Sequence, residues 1–311
     1  MGSYKPEGLL IDTAENRLAI RSAAALHDAF LRGTILEAKA VLCDCGHNLI
    51  VNLGSMKGII PRSEGALGIE DGSVRDIALI SRVNKPVCFR VTGFEKDEVG
   101  NMTALLSRRA VQAEYRAHLA GKLKPGDILP ACVTHLESFG AFVDIGCGIP
   151  SLLPIDAISI SRISHPKDRF YCGQYINVAI KQIDENMRIY VTHKELLGTW
   201  AENAARFRPG ETVSSVIRSV ESYGVFVELS PNLAGLAEPH VRAGVGQSAS
   251  VYIKSIIPEK MKIKLILVDC DRTAPPSYHY DYFVTGGHIS RWVYSPPSSE
   301  KVIETVFDER E

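Results

Sequence analysis

Short segments in which hydrophobic and polar residues alternate recur along most of this chain, separated by Gly, Pro, Asn or Asp. Alternation with a period of two places the hydrophobic side chains on one face of a β-strand. Three other segments, 14–31, 110–122 and 194–206, instead carry their hydrophobic residues at helical spacing. The pattern therefore predicts groups of antiparallel strands that are joined by short helices.

One sequence repeat occurs twice downstream of residue 122. The matching segments are, in order, 124–127 with 208–211, 138–144 with 222–228, and 173–181 with 246–254. Their order and spacing agree, apart from a longer connection around 158–170 in the earlier of the two. Self-similarity on this scale indicates two domains that share one fold.

A fainter copy of the repeat lies upstream of these two. Segment 49–54 parallels 141–146, segment 58–61 parallels 151–154, and 102–107 is the expected closing strand. Each repeat holds about five short strands in about 75 residues, which is the size of an OB-type barrel. We therefore predict a barrel at this upstream position as well.

The predicted fold class is mainly β: tandem five-stranded OB-fold barrels joined by short helices and followed by a C-terminal β-hairpin tail. The predicted boundaries are 1–31 for an N-terminal helical segment, 32–110, 123–195 and 207–272 for the first, second and third barrels, 111–122 and 196–206 for linker helices, and 273–311 for the tail. The tail concentrates aromatic residues, namely Tyr278, Tyr280, Tyr282, Phe283, Trp292 and Tyr294. Those rings either pack the tail against the third barrel or form a further binding surface.

Composition and charge exclude some classes of function but do not identify the function. The formal net charge of −1 argues against a sequence-independent duplex binder, which needs many phosphate contacts. It is compatible with a single-strand binder, because stacking of bases on aromatic rings supplies affinity without net charge. The sequence lacks a phosphate-binding Gly-rich loop with Lys, a metal-spaced cluster of His and carboxylates, and a nucleophile elbow. We therefore expect no enzymatic activity and no cofactor.

The ordered set of motifs in the repeats resembles the S1-type RNA-binding domain of ribosomal proteins. The set comprises Lys-Pro-Gly-Asp, Phe-Gly-Ala-Phe-Val-Asp, a Gly-Leu-type turn, Gly-Gln and Asp-x-x-x-Arg. Segment 123–195 matches it well, 207–268 matches in its front half, and the first repeat matches loosely. The linker 194–200 is similar to linkers in short S1-like proteins of Gram-positive bacteria. No apolar run is long enough to cross a bilayer and residues 1–10 do not resemble a secretory signal, so we expect a cytoplasmic, non-membrane protein. The resemblance implies that it binds single-stranded RNA or mRNA in translation, with the small ribosomal subunit as a further partner.

The resemblance implies two aromatic pairs as base-stacking residues, Phe139 with Phe142 and Tyr223 with Phe226. Strict strand alternation would place two rings that are three residues apart on opposite faces. Gly140, between the first two rings, permits a β-bulge that turns both rings outward. Two exposed rings form a stacking platform worth about 1–3 kcal/mol per base. The alternative is that one ring of each pair fills the barrel core.

Charged residues beside the platforms are also implied by the resemblance. Asp184 and Arg188 match the acidic and basic positions of the second repeat. Lys262 matches the basic position of the third repeat, where the acidic position falls near Pro258. Pro154 stands in the second repeat where the family often has a His after the Gly-Leu turn.

Further basic residues extend the predicted site. In the third repeat the candidates lie on a predicted hairpin: Lys254, Lys260, Lys262 and Lys264. They either track the RNA backbone or form a solvated edge that discourages strand pairing. In the long connection of the second repeat the candidates are Arg162, His165, Lys167 and Arg169, partly offset by Asp168. That connection is either a loop that clamps RNA or an ordinary soluble loop.

The first repeat has no aromatic pair, because His47 and Ile50 occupy the matching positions. We therefore expect it to contribute little RNA affinity and to serve in protein docking or packing. Cys43, Cys45 and His47 suggest a metal clip, but no second ligand pair follows at a usable spacing, so we expect no metal site. Because OB-type barrels also bind proteins, a docking adaptor, for instance one associated with the ribosome, is the alternative to RNA binding.

Overall fold

The computed structural model of the protein describes residues 4–96, 100–185, 187–271 and 280–308. Within those residues the strands form three closed five-stranded barrels and one two-stranded sheet. The predicted fold class, tandem OB-type barrels followed by a hairpin tail, is confirmed. No helix in the described part of the chain is long and apolar enough to cross a membrane.

The packing of the chain divides it into two compact units. The N-terminal unit contains 1–123, 130–132 and 144–150, and the C-terminal unit contains 124–129, 133–143 and 151–311. The first barrel lies entirely in the N-terminal unit, and the third barrel and the tail lie in the C-terminal unit. The second barrel contributes residues to both.

Two short helices precede the first barrel, α1 (Ala14–Ile20) and α2 (Ala23–Arg32). The hydrophobic spacing predicts one helix over 14–31, and the structure interrupts it at Ser22. Ser22 has an extended backbone and its hydroxyl caps the N-terminus of α2, which is a common way to start a helix. Gly33, with a φ of 61°, ends α2 in the left-handed conformation that glycine adopts without strain.

Five strands form the first barrel: β1 (Leu36–Cys43), β2 (Leu49–Asn52), β3 (Lys57–Ile60), β4 (Pro86–Lys96) and β5 (Met102–Ser107). They pair in the order β1-β2-β3-β5-β4, and β1 closes the barrel by pairing with β4. All neighbours are antiparallel except β3 and β5, which are parallel. Buried hydrophobic side chains from these strands, Phe89 and Leu106 among them, fill the interior.

Two further helices accompany the first barrel. The short α3 (Ile77–Ile80) lies between β3 and β4, and α4 (Arg108–Lys122) follows β5 directly. Val111, Tyr115 and Leu119 are buried along α4 at a spacing of four residues, which puts them on one face of the helix. This helix starts two residues before the range 110–122 that the sequence predicts.

The second and third barrels repeat the strand order of the first. The second barrel contains β6 (Ile128–Glu137), β7 (Gly140–Asp144), β8 (Pro150–Pro154), β9 (Tyr175–Ile183) and β10 (Ile189–Thr192). The third contains β11 (Thr212–Glu221), β12 (Gly224–Ser230), β13 (Leu233–Ala237), β14 (Ser248–Ile257) and β15 (Lys262–Asp271). In each, the third and fifth strands of the barrel are the parallel pair.

The segment between the second and third barrels is not the single helix that its spacing predicts. A 3₁₀ turn covers Lys194–Leu197, Gly198 follows with a φ of 81°, and α5 (Trp200–Ala204) begins after a capping box at Thr199. Trp200 is buried in the hydrophobic core of the third barrel. The segment therefore anchors that barrel through its indole ring.

An ion pair buried in the C-terminal unit joins the long connection of the second barrel to the third barrel. The Arg169 guanidinium donates two hydrogen bonds to the Glu228 carboxylate on β12, one of them at 2.6 Å, and both side chains are 0% exposed. Arg218 on β11 donates to the same carboxylate at 2.8 Å. Burial raises the pKa of Glu228, but the two arginines lower it more, so the net shift is downward. Arg169 is therefore a structural residue and is not available to RNA as the sequence suggested.

The tail packs onto the C-terminal unit and ends in a small sheet of β16 (Arg291–Val293) and β17 (Glu304–Val306). Trp292 and Tyr294 join the core of the third barrel, so these rings serve packing. Tyr278 lies outside the described residues.

A second part of the tail contacts the second barrel through a buried histidine. The carbonyl oxygen of Ile158 lies 3.0 Å from Nδ1 of His193 and can only accept, so Nδ1 carries the proton. Nε2 then accepts from the Tyr282 hydroxyl at 3.1 Å, which defines a neutral ring. Burial lowers the pKa of His193 to about 4.

Candidate nucleic-acid interface

A pair of aromatic rings projects from the outer surface of the second barrel. Phe139 lies in the two-residue turn between β6 and β7 and is 54% exposed, and Phe142 lies on β7 and is half-buried. Their ring centroids are 6.0 Å apart and their planes meet at 89°. Ala141 and Val143, on either side of Phe142, are fully buried. The alternation therefore directs Phe142 outward, and neither ring fills the barrel core.

The third barrel carries the same pair at the same place. Tyr223 is 66% exposed and Phe226 is half-buried, with ring centroids 6.1 Å apart and an angle of 89° between the planes. Val225 and Val227 are fully buried beside Phe226. Position, distance and angle thus agree between the two barrels, so one surface feature is built twice.

In the third barrel a tight hairpin turn, with no bulge at Gly224, directs the first ring of the pair outward. In the third barrel Glu221 pairs with Gly224, which leaves a two-residue turn that contains Tyr223. The irregularity in this strand pair lies upstream, between Ile217 and Ser219. The strand pairing at Gly224 is therefore regular, the bulge at Gly140 stays a prediction, and the outward direction of the rings is as expected.

The glycine between the rings is required by close packing of backbones. A Cβ atom at Gly140 would lie 2.5 Å from the carbonyl oxygen of Leu153, and one at Gly224 would lie 2.7 Å from that of Ala237. Both distances are shorter than a van der Waals contact, so a side chain here would push neighbouring strands apart. Glycine thus lets the ring-bearing hairpin lie close to the next strand of its barrel.

Asp184 and Arg188 are brought together by the turn between β9 and β10. The Arg188 backbone N–H donates to Oδ1 of Asp184 at 2.7 Å, and the Asp184 N–H donates to the Arg188 carbonyl at 3.0 Å. The acidic side chain therefore shapes the turn, and the Arg188 side chain is exposed. The predicted acid and base are therefore adjacent in one turn.

A shallow cavity of about 240 Å³ opens on the second barrel beside this turn. Its lining residues are Pro154, Lys181, Gln182, Asp184 and Tyr190. It adjoins the ring pair, because the N–H of Ile155, next to Pro154, donates to the carbonyl of Phe139 at 3.0 Å.

Sequence reasoning missed Lys181, Gln182 and Tyr190 as site residues. The signal for Tyr190 was present, since it lies two residues after Arg188, the basic position that the family resemblance implies.

The lysines of the third barrel divide into two groups. Lys262 and Lys264 are exposed and two residues apart on β15, so their side chains lie on one face. Lys264 pairs with Leu236, and Leu236 pairs with Phe226, which puts the lysine in the same row of the sheet as the ring. Lys254 is the extra residue of an irregularity in β14, and Lys260 lies in the 3₁₀ turn before β15.

The long connection of the second barrel exposes Arg162 and Lys167. Its other charges are used internally. Asp168 accepts from the hydroxyl of Ser164 at 3.0 Å, and His165 Nδ1 accepts from the Lys167 N–H at 3.1 Å. Two of the five charged or titratable side chains that the sequence suggests here thus remain exposed to a ligand.

The first barrel differs at the hairpin that would hold the rings. Its turn is longer, and the side chain of Asp44 accepts the N–H groups of Gly46 and Asn48 within it. His47 lies 3.9 Å from a carboxylate oxygen of Asp76 and belongs to no ring pair among the described contacts of this turn. Across the described residues, no group of three or more His, Cys, Asp or Glu side chains is arranged to hold a metal ion.

Comparison with known proteins adds a family resemblance to this geometry. Residues 122–194 match the S1 RNA binding domain. The chain is 30% identical over 251 residues to a small ribosomal subunit protein bS1 homolog of Bacillus subtilis, which covers 75% of this chain and 63% of that protein. It is likewise 30% identical over 263 residues to the small ribosomal subunit protein bS1 of Staphylococcus aureus, covering 79% of this chain and 64% of that one. The chain thus spans less than two thirds of the length of these relatives.

A solved structure is also similar in part. It is a multidomain protein with nucleic acid binding domains from Streptococcus pneumoniae, 13% identical, with 76% of this chain and 74% of that chain covered at a TM-score of 0.25. A similarity this low carries no weight beside the barrels themselves. The segment match and the two bacterial relatives together establish that this chain resembles the S1-type RNA-binding family, with its second barrel as the matching domain.

Proposed function

We propose that the protein binds single-stranded RNA by stacking bases on the ring pairs Phe139–Phe142 and Tyr223–Phe226. The proposal rests on the ring pairs, which project outward with the same geometry in both barrels. The ring centroids are 6.0 and 6.1 Å apart, and the ring planes meet at 89° in each pair. The S1 match over 122–194 supports it, since the matched segment contains the first pair. No bond is made or broken in this function.

The perpendicular arrangement fits the stacking of separate bases. Two rings at 89° cannot sandwich one base between parallel faces, so each ring offers its own face to a different base. Stacking of this kind contributes about 1–3 kcal/mol per base and tolerates every base. Four rings therefore give substantial affinity to a chain whose net charge is only −1.

Basic side chains supply the phosphate contacts in this proposal. The exposed candidates are Arg162, Lys167, Arg188, Lys254, Lys262 and Lys264. Each phosphate neutralised on a single strand releases counterions and adds to the salt dependence of binding. Asp184 acts by shaping the turn that presents Arg188.

The biological setting is part of the proposal. The relatives from Bacillus subtilis and Staphylococcus aureus are small ribosomal subunit proteins. We infer that the RNA is mRNA, that the protein acts in translation or mRNA handling in the cytoplasm, and that the small ribosomal subunit is a partner.

Fluorescence anisotropy with a labelled, unstructured RNA of 20–30 nucleotides tests the RNA-binding proposal. Replacing Phe139, Phe142, Tyr223 and Phe226 together by Ala is expected to weaken binding at least 100-fold, which corresponds to about 3 kcal/mol of lost stacking. Tyr171→Ala is the matched control, because this ring is 68% exposed in the C-terminal unit but belongs to neither pair. Equal affinities of the quadruple variant and the control would contradict the proposal.

A protein-docking adaptor is the second candidate function. The first barrel favours it, because its longer hairpin carries no aromatic pair and places His47 near Asp76. In that case the quadruple variant would still co-sediment with ribosomes although neither it nor the intact chain bound free RNA. Loss of both activities in the quadruple variant would favour RNA binding.

A further inference from the structure

The cavity beside the ring pair Phe139–Phe142 has the size of a small flat ring system. Its volume of about 240 Å³ lies below the range of about 300–1,000 Å³ that drug-sized ligands occupy. It lies next to the hairpin that carries Phe139, because the N–H of Ile155, which follows the lining residue Pro154, donates to the Phe139 carbonyl at 3.0 Å. A strand of RNA that stacks on Phe139 therefore comes close to the cavity. One base, rather than a whole nucleotide chain, fits such a site.

The wall of the cavity is a row of outward side chains across three strands. Tyr190 on β10 pairs with Gln182 on β9 and with Leu152 on β8. Its neighbours along the strand, Ile189 and Val191, are buried, so the ring of Tyr190 faces outward. The row therefore offers an aromatic face with an amide at its side.

An irregularity in the strand pairing places two polar residues side by side at the rim. Tyr190 pairs with Gln182 while Val191 pairs with Ile180, so Lys181 is an extra residue on β9. Lys181 and Gln182 are consequently both exposed, although a regular strand would direct them to opposite faces. The cation and the amide thus reach the same cavity.

We propose that this cavity is a nucleobase subsite that prefers a base with an exocyclic amino group over uracil. The inference rests on the proposed RNA binding and adds base selectivity to it. Tyr190 stacks on the base, Gln182 hydrogen-bonds to its edge, and Lys181 meets the adjoining phosphate. The negative charge of Asp184 at the cavity wall attracts an amino group and repels a carbonyl oxygen.

The chemistry of the bases sets the direction of the preference. Adenine and cytosine carry amino donors at the edge where a pyrimidine such as uracil or thymine carries a carbonyl acceptor. A side-chain amide such as that of Gln182 both donates and accepts, and it pairs well with the amino group and ring nitrogen of adenine. Adenine is therefore the base expected to bind best.

The third barrel provides an internal comparison for this subsite. Its row across the same strands reads Leu236, Lys264 and Ser255, so a lysine stands in place of Tyr190 and a serine in place of Gln182. A lysine contacts phosphates but offers no ring face and no acceptor. We expect the third barrel to bind RNA without this preference.

Anisotropy with the full chain and four labelled dodecamers tests the subsite. One RNA is all uridine, and the others carry a single A, C or G at a central position. The A-containing RNA is expected to bind about twofold to tenfold tighter than the all-uridine RNA, as one added neutral hydrogen bond predicts. Gln182→Ala and Tyr190→Leu should each reduce this ratio to about one, whereas Tyr190→Phe, which keeps the ring, and Ser255→Ala in the third barrel should preserve it.

Each outcome has a distinct meaning. Equal binding of all four RNAs by the intact chain would overturn the subsite and leave the proposed function standing. A preference that survives both Gln182→Ala and Tyr190→Leu would also overturn it. No binding of any RNA would overturn the proposed function and this inference with it. Circular dichroism of each variant checks that a reduced affinity ratio between the A-containing and all-uridine RNAs does not come from misfolding. If Tyr190→Leu does not fold, Gln182→Ala alone tests the subsite.

Discussion

The second and third barrels present the same pair of rings in different surroundings. The centroid distances differ by only 0.1 Å, from 6.0 to 6.1 Å, and both pairs of planes meet at 89°. Beside the rings, the second barrel has a cavity walled by Gln182 and Tyr190, whereas the third has Lys264 at the position of Tyr190. The repeat thus retains the hairpin that holds the rings and varies the neighbouring strands. With the proposed base subsite, the second barrel discriminates among bases, whereas the third adds positive charge.

The two barrels also stabilise a matching acid in different ways. Asp144 ends β7 and its carboxylate accepts the N–H groups of Glu7, Gly146 and Gly148. Glu228, at the matching place on β12, accepts instead from the guanidinium groups of Arg169 and Arg218. Backbone N–H groups hold Asp144, whereas two guanidinium groups hold Glu228. Replacing each acid by its amide should therefore destabilise the two barrels by different amounts.

The largest effect is expected from Glu228→Gln. The change leaves Arg169, which is 0% exposed, with no anionic partner at that position, and breaking a buried ion pair costs about 3–5 kcal/mol. Urea unfolding followed by tryptophan fluorescence measures this cost, because Trp200 and Trp292 both lie in the core of the third barrel. Asp144→Asn, which keeps one oxygen for the N–H groups, should cost less. Equal losses would contradict the difference drawn between the two acids.

Removing one ring pair at a time separates the two platforms. Replacing Phe139 and Phe142 by Ala, or Tyr223 and Phe226 by Ala, is expected to weaken RNA binding at least tenfold in each case, given about 1–3 kcal/mol per stacked base. Base selectivity should be lost only with the first pair, since the cavity adjoins Phe139. Anisotropy with the uridine and A-containing dodecamers measures both quantities. If base selectivity were lost on replacing Tyr223 and Phe226 instead, the third barrel and not the second would be the selective one.

Acid should loosen the attachment of the tail to the second barrel. His193 has its pKa lowered by burial to about 4 from an ordinary value of 6.5, so the unfolded state binds the proton more tightly than the folded state. The stabilisation is present above pH 6.5 and is lost as the pH falls towards 4, by about 2 kcal/mol at pH 5. Urea unfolding at pH 7 and pH 5 measures the loss. His193→Gln, which cannot take up a proton, should show a smaller pH dependence than the intact chain.

The sequence predicted the barrels and ring pairs because both depend on local patterns that occur twice. The alternating segments predict the strands, and the ordered motifs around Phe139 and Tyr223 predict the ring pairs. Tyr190 had a signal in the sequence, but the cavity as a whole did not, because the irregular pairing of β9 with β10 brings Lys181 and Gln182 to it together. Arg169 was misinterpreted as a surface charge for the same reason, since its partner Glu228 lies 59 residues away. Contacts fixed by tertiary pairing leave little trace in a local sequence pattern.

The smallest expected effect concerns the lysines that distinguish the third barrel. Replacing Lys254, Lys262 and Lys264 by Gln removes up to three phosphate contacts while leaving Tyr223 and Phe226 in place. The slope of log affinity against log salt concentration should become shallower by about 2, at about 0.7 per phosphate on a single strand. At high salt the variant and the intact chain should bind almost equally, because stacking does not depend on counterions. The matched change in the second barrel, Lys181→Gln, should reduce the slope by less than 1. A triple variant with an unchanged slope would mean that these lysines of β14 and β15 are only solvated surface charges. The contrast between a selective and a charged barrel would then rest on the cavity alone.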